Sequence, residues 1–116
     1  GPSSIMLALM ASGMNGQAFQ FHGYLPIQKQ QRIHQIKQLE KHIQQTGATQ
    51  IFMETPFRNM QLLEDLLKTC RQDTLLCIAA DLTTQEEFIR TQSIREWSAQ
   101  KRPDLHKHPA IFLLFR

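Results

Sequence analysis

The spacing of apolar positions changes several times along this chain of 116 residues, and each change marks an element. Ile5, Leu7, Leu9 and Met10 surround the small Ala8, Ala11 and Ser12, and Gly13 stands where a helix would stop. Ser3 or Ser4 is placed to accept from the free amides of a first turn, so a short, mostly buried helix is expected there. In QAFQFHGYLP, Phe19 and Phe21 alternate with Gln20 and His22, the pattern of a half-buried strand ended by Pro26. PIQKQQRIHQIKQLEKHIQQTG reads as the longest helix, with Ile33, Ile36, Leu39 and Ile43 as a narrow apolar stripe and Gly47 as its stop.

TQIFMETP is a short buried strand running into Pro56. FRNMQLLEDLLKTCRQ is amphipathic, with Met60, Leu63, Leu66, Leu67 and Cys70 on one side. DTLLCIAADL is another buried strand that opens with Asp73 in a turn. Thr84 and Glu87 have capping-box spacing, which predicts at most a short helix. FIRTQSI has the alternation of a strand, REWSAQ suggests a turn or two of helix, KRPDLHKHP is a polar loop, and AIFLLF is a final strand apolar on both faces. Strands alternating with helices, followed by one hairpin-like pair, predict an α/β fold with a mixed, mainly five-stranded sheet flanked by helices.

The net charge of +3 permits a polyanionic partner such as RNA without requiring one, and a solvated surface with a small excess of Lys and Arg is the simpler explanation. Cys70 and Cys77 lack metal-ligand spacing and sit among apolar residues, as small hydrophobes of a reducing, cytoplasmic compartment would. No apolar run is long enough to cross a membrane, and IMLALMASGM lacks the basic start of a signal peptide. There is no Gly-rich phosphate loop and no serine elbow. His106 and His108 share a polar loop with Asp104, a setting in which histidines are ordinarily solvated, so no metal is expected.

Strand ends remain, where open α/β sheets bind ligands. IFMETPFR puts Met53, Glu54 and Arg58 around a proline turn. CIAADLTT brings the small Ala79 and Ala80 to Asp81, and HPAIF places Pro109 and Ala110 at the entrance of the last strand. Small residues beside exposed main-chain groups suit a flat, partly apolar ligand such as adenine. From spacing alone the same residues are better explained by helices packing on Ala79 and Ala80, and by a surface ion pair between Glu54 and Arg58.

In that order, GPSSIMLALMASGMNGQAFQFHGYLP, IFMETPFRN, AADLTTQEEFIRTQSIREW and PAIFLL resemble the C-terminal half of the tetrapyrrole methylase superfamily. These are class III methyltransferases that use S-adenosylmethionine. The resemblance is nearest to the branch that methylates a cytidine 2′-hydroxyl of small-subunit ribosomal RNA. It implies an interdomain turn and first helix at 1–17, a C-terminal cofactor-binding domain at 18–116, and an N-terminal methylase domain absent from this chain. Gly1, Pro2 and Ser3 then match the turn at the domain junction. The resemblance further implies that Met53, Ala79, Ala80, Asp81, Pro109, Ala110 and Ile111 line the adenosine side of the cofactor. It places Glu54, Pro56 and Arg58 near the cleft mouth, where Arg58 either meets substrate or holds Glu54. Where that branch usually carries a lysine, two residues after Pro26, this chain has Gln28; Lys29 and Arg32 stand nearby for phosphate contacts.

Methyl transfer from a sulfonium is an in-line displacement, helped mainly by holding the acceptor against the methyl carbon in a water-poor cleft. A hydroxyl acceptor needs a base; Glu54 is the candidate in this half, and the absent domain is the other place for it. One half of a pocket is expected to bind cofactor weakly and to transfer nothing. The resemblance also implies a homodimer. Two alternatives stand beside the RNA methylase: methylation of a small or tetrapyrrole-like acceptor, and a non-catalytic module that docks through its Met-rich first helix and strand edges.

Overall fold

The computed structural model describes Ala8 and residues 18–116. Elements run in the order β1 (Phe19–Tyr24), α1 (Lys29–Thr46), β2 (Thr49–Met53), a 3-10 turn (Pro56–Arg58), α2 (Asn59–Thr69), β3 (Leu75–Ala80), β4 (Phe88–Ser93), α3 (Ile94–Ser98) and β5 (Ala110–Phe115). The mixed five-stranded α/β sheet has the order β1-β2-β5-β3-β4. β1 and β2 pair in parallel, and every other pairing is antiparallel. The last strand is therefore inserted between β2 and β3. The expectations for residues 1–17, including the Ser3/Ser4 cap, the Gly13 stop and the domain-junction turn, lie outside the described residues, Ala8 excepted.

Alternation along the strands sorts side chains onto two faces. Phe52, Leu76, Ile78, Ala80, Ala110, Phe112 and Leu114 face the helices, where Ile36, Leu39 and Ile43 of α1 and Leu62, Leu63, Leu66 and Leu67 of α2 cover them. Phe52 and Phe112 are register partners, and their rings stack at 5.9 Å. The opposite face carries Ile51, Cys77, Ala79, Ile111 and Leu113, and the helical residue Ala8 is buried among them. α1 stops as its pattern requires, because Gly47 takes the left-handed conformation with φ 73° and its amide reaches Ile43. Among the described residues, no helix is long and apolar enough to cross a membrane.

Two expectations change. β1 is an edge strand, so Phe19, Phe21 and Tyr24 are exposed instead of half-buried. Thr84 and Glu87 start no helix: the Thr84 hydroxyl and amide both bond Asp81 O, and Glu87 folds back to accept from the Thr83 amide. The capping box belongs to Ser93 and Glu96, which close α3 reciprocally at 3.1 and 2.9 Å. These bonds hold the Glu96 carboxyl below its ordinary range. Its folded pKa being depressed, its contribution is present above the unfolded value and is lost as pH falls through the folded one. Ser93→Ala is expected to cost about 1 kcal/mol, read as a lower midpoint in urea at neutral pH.

A candidate nucleoside cleft at the strand ends

β1, β2 and β3 point the same way, so their last residues gather at one end of the sheet with the first residues of β4 and β5. The register shows it: Met53 pairs with Ile111, and Ala80 with both Ala110 and Phe88. Each chain segment then turns away sharply. After β2, Pro56 starts the 3-10 turn. After β3, Asp81 and Thr83 adopt left-handed φ values of 52° and 68°. Asp tolerates this conformation, and a β-branched Thr rarely does. In β1, Gly23 with φ 67° sits where the register with β2 slips between Phe21 and Tyr24. A glycine there lets the strand kink without a Cβ penalty and redirects Tyr24.

These turns enclose a cleft of about 440 Å³, lined by Met53, Glu54, Ala79, Asp81, Pro109, Ala110 and Ile111, with Tyr24, Pro56, Leu82 and Thr84 at its sides. It lies in the size range, roughly 300–1,000 Å³, of small-molecule sites, and apolar groups dominate its walls. Six of the seven residues expected on the adenosine side come together here. Ala80 is not in the lining: its side chain is in the core beneath the helices, as alternation with Ala79 demands, and its partner Ala110 shares that core but also lines the cleft from the first position of β5. A larger depression of about 580 Å³ between α1 and α2 lies among Lys29, Arg32, Asp65 and Lys68, whose charges already satisfy one another in part.

The far wall is pinned from behind. Asn59, buried at the start of α2, donates from Nδ2 to Leu105 O at 3.1 Å and His108 O at 2.6 Å. Lys107 N bonds Pro56 O at 3.1 Å, and Asp81 N bonds Pro109 O at 3.0 Å. His108 Nδ1 is 2.7 Å from Asp81 Oδ2, so the loop and the β3 turn are tied across the cleft rim. Asp81, Glu86 and His108 each bring one ligand atom within 4.8 Å of the others, a grouping that the sequence split between two loops. His106 packs edge-on against Phe57 instead of joining His108.

The charged candidates divide. Arg32 was expected to meet phosphate, and it is buried: Nε lies 2.7 Å from Asp65 Oδ2 and NH1 2.7 Å from Ile27 O. It is a structural residue bound to α2. Lys29 remains exposed, 3.8 Å from the other Asp65 oxygen. Arg58 lies 3.4 Å from Glu54 Oε1, and the pair is no surface bridge, for the Glu54 side chain is only 1% exposed. Glu54 Oε1 also accepts from Thr55 N at 2.7 Å, while Oε2 has no hydrogen-bond partner among the described residues. Burial pushes the thiols of Cys70 and Cys77 up, with Glu40 adding to the effect at Cys70, so neither is a nucleophile.

Asn59, Tyr24, Leu82 and Thr84 escaped the sequence reading. Asn59 alone carried a signal, as a polar residue directly after the E-x-P-x-R stretch at the start of an amphipathic helix. The residues present suit a nucleoside: Met53, Ala79 and Ile111 give the cleft an apolar wall, and Glu54, which lines it too, has a buried carboxylate oxygen without a hydrogen-bond partner among the described residues.

The sheet order and helix placement define the class of protein as the tetrapyrrole methylase fold, in mixed five-stranded form. A crystal structure of the methyltransferase CobJ superposes with a TM-score of 0.58 at 19% identity, over 96% of this chain and 47% of that one. No family model matches the chain. Among curated proteins, the ribosomal RNA small subunit methyltransferase I of Halalkalibacterium halodurans is 40% identical over 91 residues, covering 78% of this chain and 30% of the relative. The protein of that name from Buchnera aphidicola is 28% identical over 117 residues, 98% of this chain and 40% of the relative. The chain thus spans well under half the length of these relatives.

Proposed function

We propose that this chain is the cofactor-binding half of an S-adenosylmethionine-dependent methyltransferase that acts on ribosomal RNA. The observation that supports it most is the convergence of three strand ends, at Met53, Asp81 and Ala110, on one mostly apolar cleft. The names of its curated relatives favour RNA over a small acceptor. An N-terminal domain is proposed to supply the opposite wall. Two copies are proposed to pair, with Phe19 and Phe21 of the edge strand as available apolar surface.

When bound, the cofactor supplies an electrophilic methyl group on sulfur. This chain holds the nucleoside end on the Met53–Ala79–Ile111 ledge and excludes water from one side. Lys29 is the exposed cation of α1 nearest the β1 exit and is the phosphate contact of this reading. Glu54, ion-paired and buried, suits holding a ligand better than taking a proton from a large acceptor.

One wall gives only part of the binding energy, so the chain alone is expected to bind S-adenosylhomocysteine weakly and to transfer no methyl group. Adding that ligand to isotope-labelled chain should shift the amide resonances of Met53, Ala79, Asp81, Ala110 and Ile111. Shifts confined to the α1–α2 depression, or tight binding by calorimetry, would contradict this reading. Labelled methyl transfer to small ribosomal subunits, by a protein joining this chain to its N-terminal domain, tests the RNA substrate; label in a small molecule instead would end it.

A further inference from the structure

Glu54 is a buried carboxylate on the wall of the cleft with one oxygen bonded and one unpaired among the described residues. Oε1 accepts from the Thr55 amide at 2.7 Å and lies 3.4 Å from Arg58 Nε. Oε2 is fully buried and without a hydrogen-bond partner among the described residues, and so is Arg58 Nε, so the ion pair is a proximity of charges without a directional bond. A buried carboxylate oxygen left in this state costs free energy that a donor would recover. Tyr24 and Thr84 bring hydroxyl donors to the same cleft, and neither bonds Oε2. An ionised carboxylate accepts only, so the missing partner is an N–H or O–H.

We propose that Glu54 Oε2 accepts a hydrogen bond from the nucleoside in the cleft and thereby selects which nucleoside fits. This rests on the nucleoside reading above and adds a specificity-determining residue to it. Two parts of adenosine carry such donors, the exocyclic amino group and the ribose hydroxyls.

Glu54→Gln tests it. The Thr55 amide keeps a carbonyl oxygen at the Oε1 position, so the amide NH₂ falls where Oε2 stood and an acceptor becomes a donor of the same shape. Adenosine, purine riboside and 2′,3′-dideoxyadenosine are titrated against both proteins by amide and side-chain carboxylate resonances. The parent chain is expected to bind one analogue about 10-fold more weakly than adenosine, and E54Q to abolish that difference. A deficit with purine riboside assigns the base, and one with the dideoxy compound assigns the sugar. Equal relative affinities for all three in both proteins would overturn the proposal while leaving the nucleoside cleft standing. No cleft shift with adenosine in the parent chain would overturn both. The Glu54 carboxylate carbon of the parent chain should itself shift on adding adenosine. This readout needs no variant; an unmoved signal counts against the proposal.

Discussion

Asp65→Ala is expected to lower the unfolding free energy by about 3–5 kcal/mol, measured by urea denaturation at neutral pH. Arg32 enters from the first turn of α1 and Asp65 from the middle of α2, and both side chains are 5% exposed with NH2 and Oδ2 2.7 Å apart. Arg32 has a second tie to Ile27 O, which fixes it in place and prevents an easy escape to solvent. Without Asp65 the guanidinium is left buried and unpaired. Lys29 offers no relief, because it carries the same sign and reaches Asp65 from an exposed position. A domain with a total of about 5–15 kcal/mol would lose a large fraction of it. The paired change Arg32→Met with Asp65→Leu removes both charges at similar volume, and should recover most of the loss. A single variant within 1 kcal/mol of the parent, on the order of measurement scatter and surface substitutions, would show that solvent reaches this pair.

Asn59→Ala is expected to cost about 1–3 kcal/mol and, at the same time, to loosen the cleft. Its amide bonds two carbonyls of the 105–108 loop, Leu105 O and His108 O; truncation takes the side-chain donor from His108 O and leaves Leu105 O with the His108 amide alone. The loop leads directly into Pro109, Ala110 and Ile111, so its register sets that wall. The specific signature is local. Amide exchange should accelerate at Lys107, whose partner is Pro56 O, and at Asp81, whose partner is Pro109 O, more than in the α1 amides. Uniform acceleration across the sheet would mean that Asn59 stabilises the fold without shaping the site.

The gathering of strand ends at one cleft was legible in the sequence, and the burial of charged side chains was not. The placing of Met53, Asp81 and Ala110 at strand ends was legible because Pro56, the acidic exit at Asp81 and Pro109 border apolar runs, which are local signals. Arg32 was not. Its position among lysines and glutamines on a polar stripe pointed to solvent, yet its partner lies 33 residues away on another helix. The Thr84–Glu87 spacing likewise satisfied a capping rule that Ser93–Glu96 fulfils instead, since hydrophobic Ile94 and Trp97 follow Ser93 and are buried. Trp97 donates to Leu76 O at 2.9 Å, which locks α3 beneath the sheet.

Periodicity, glycine placement and proline positions by themselves determined the order of elements from β1 onward, the two-sided burial of β3 and β5, and the stop of α1 at Gly47. Each of these depends on neighbours within a few residues. The insertion of β5 between β2 and β3, the exposure of β1, the burial of Arg32 against Asp65 and the open oxygen of Glu54 were decided only by tertiary structure. They depend on which distant groups share a dry interior, where an unpaired charge or polar atom is costly and the sequence order of its partner is irrelevant.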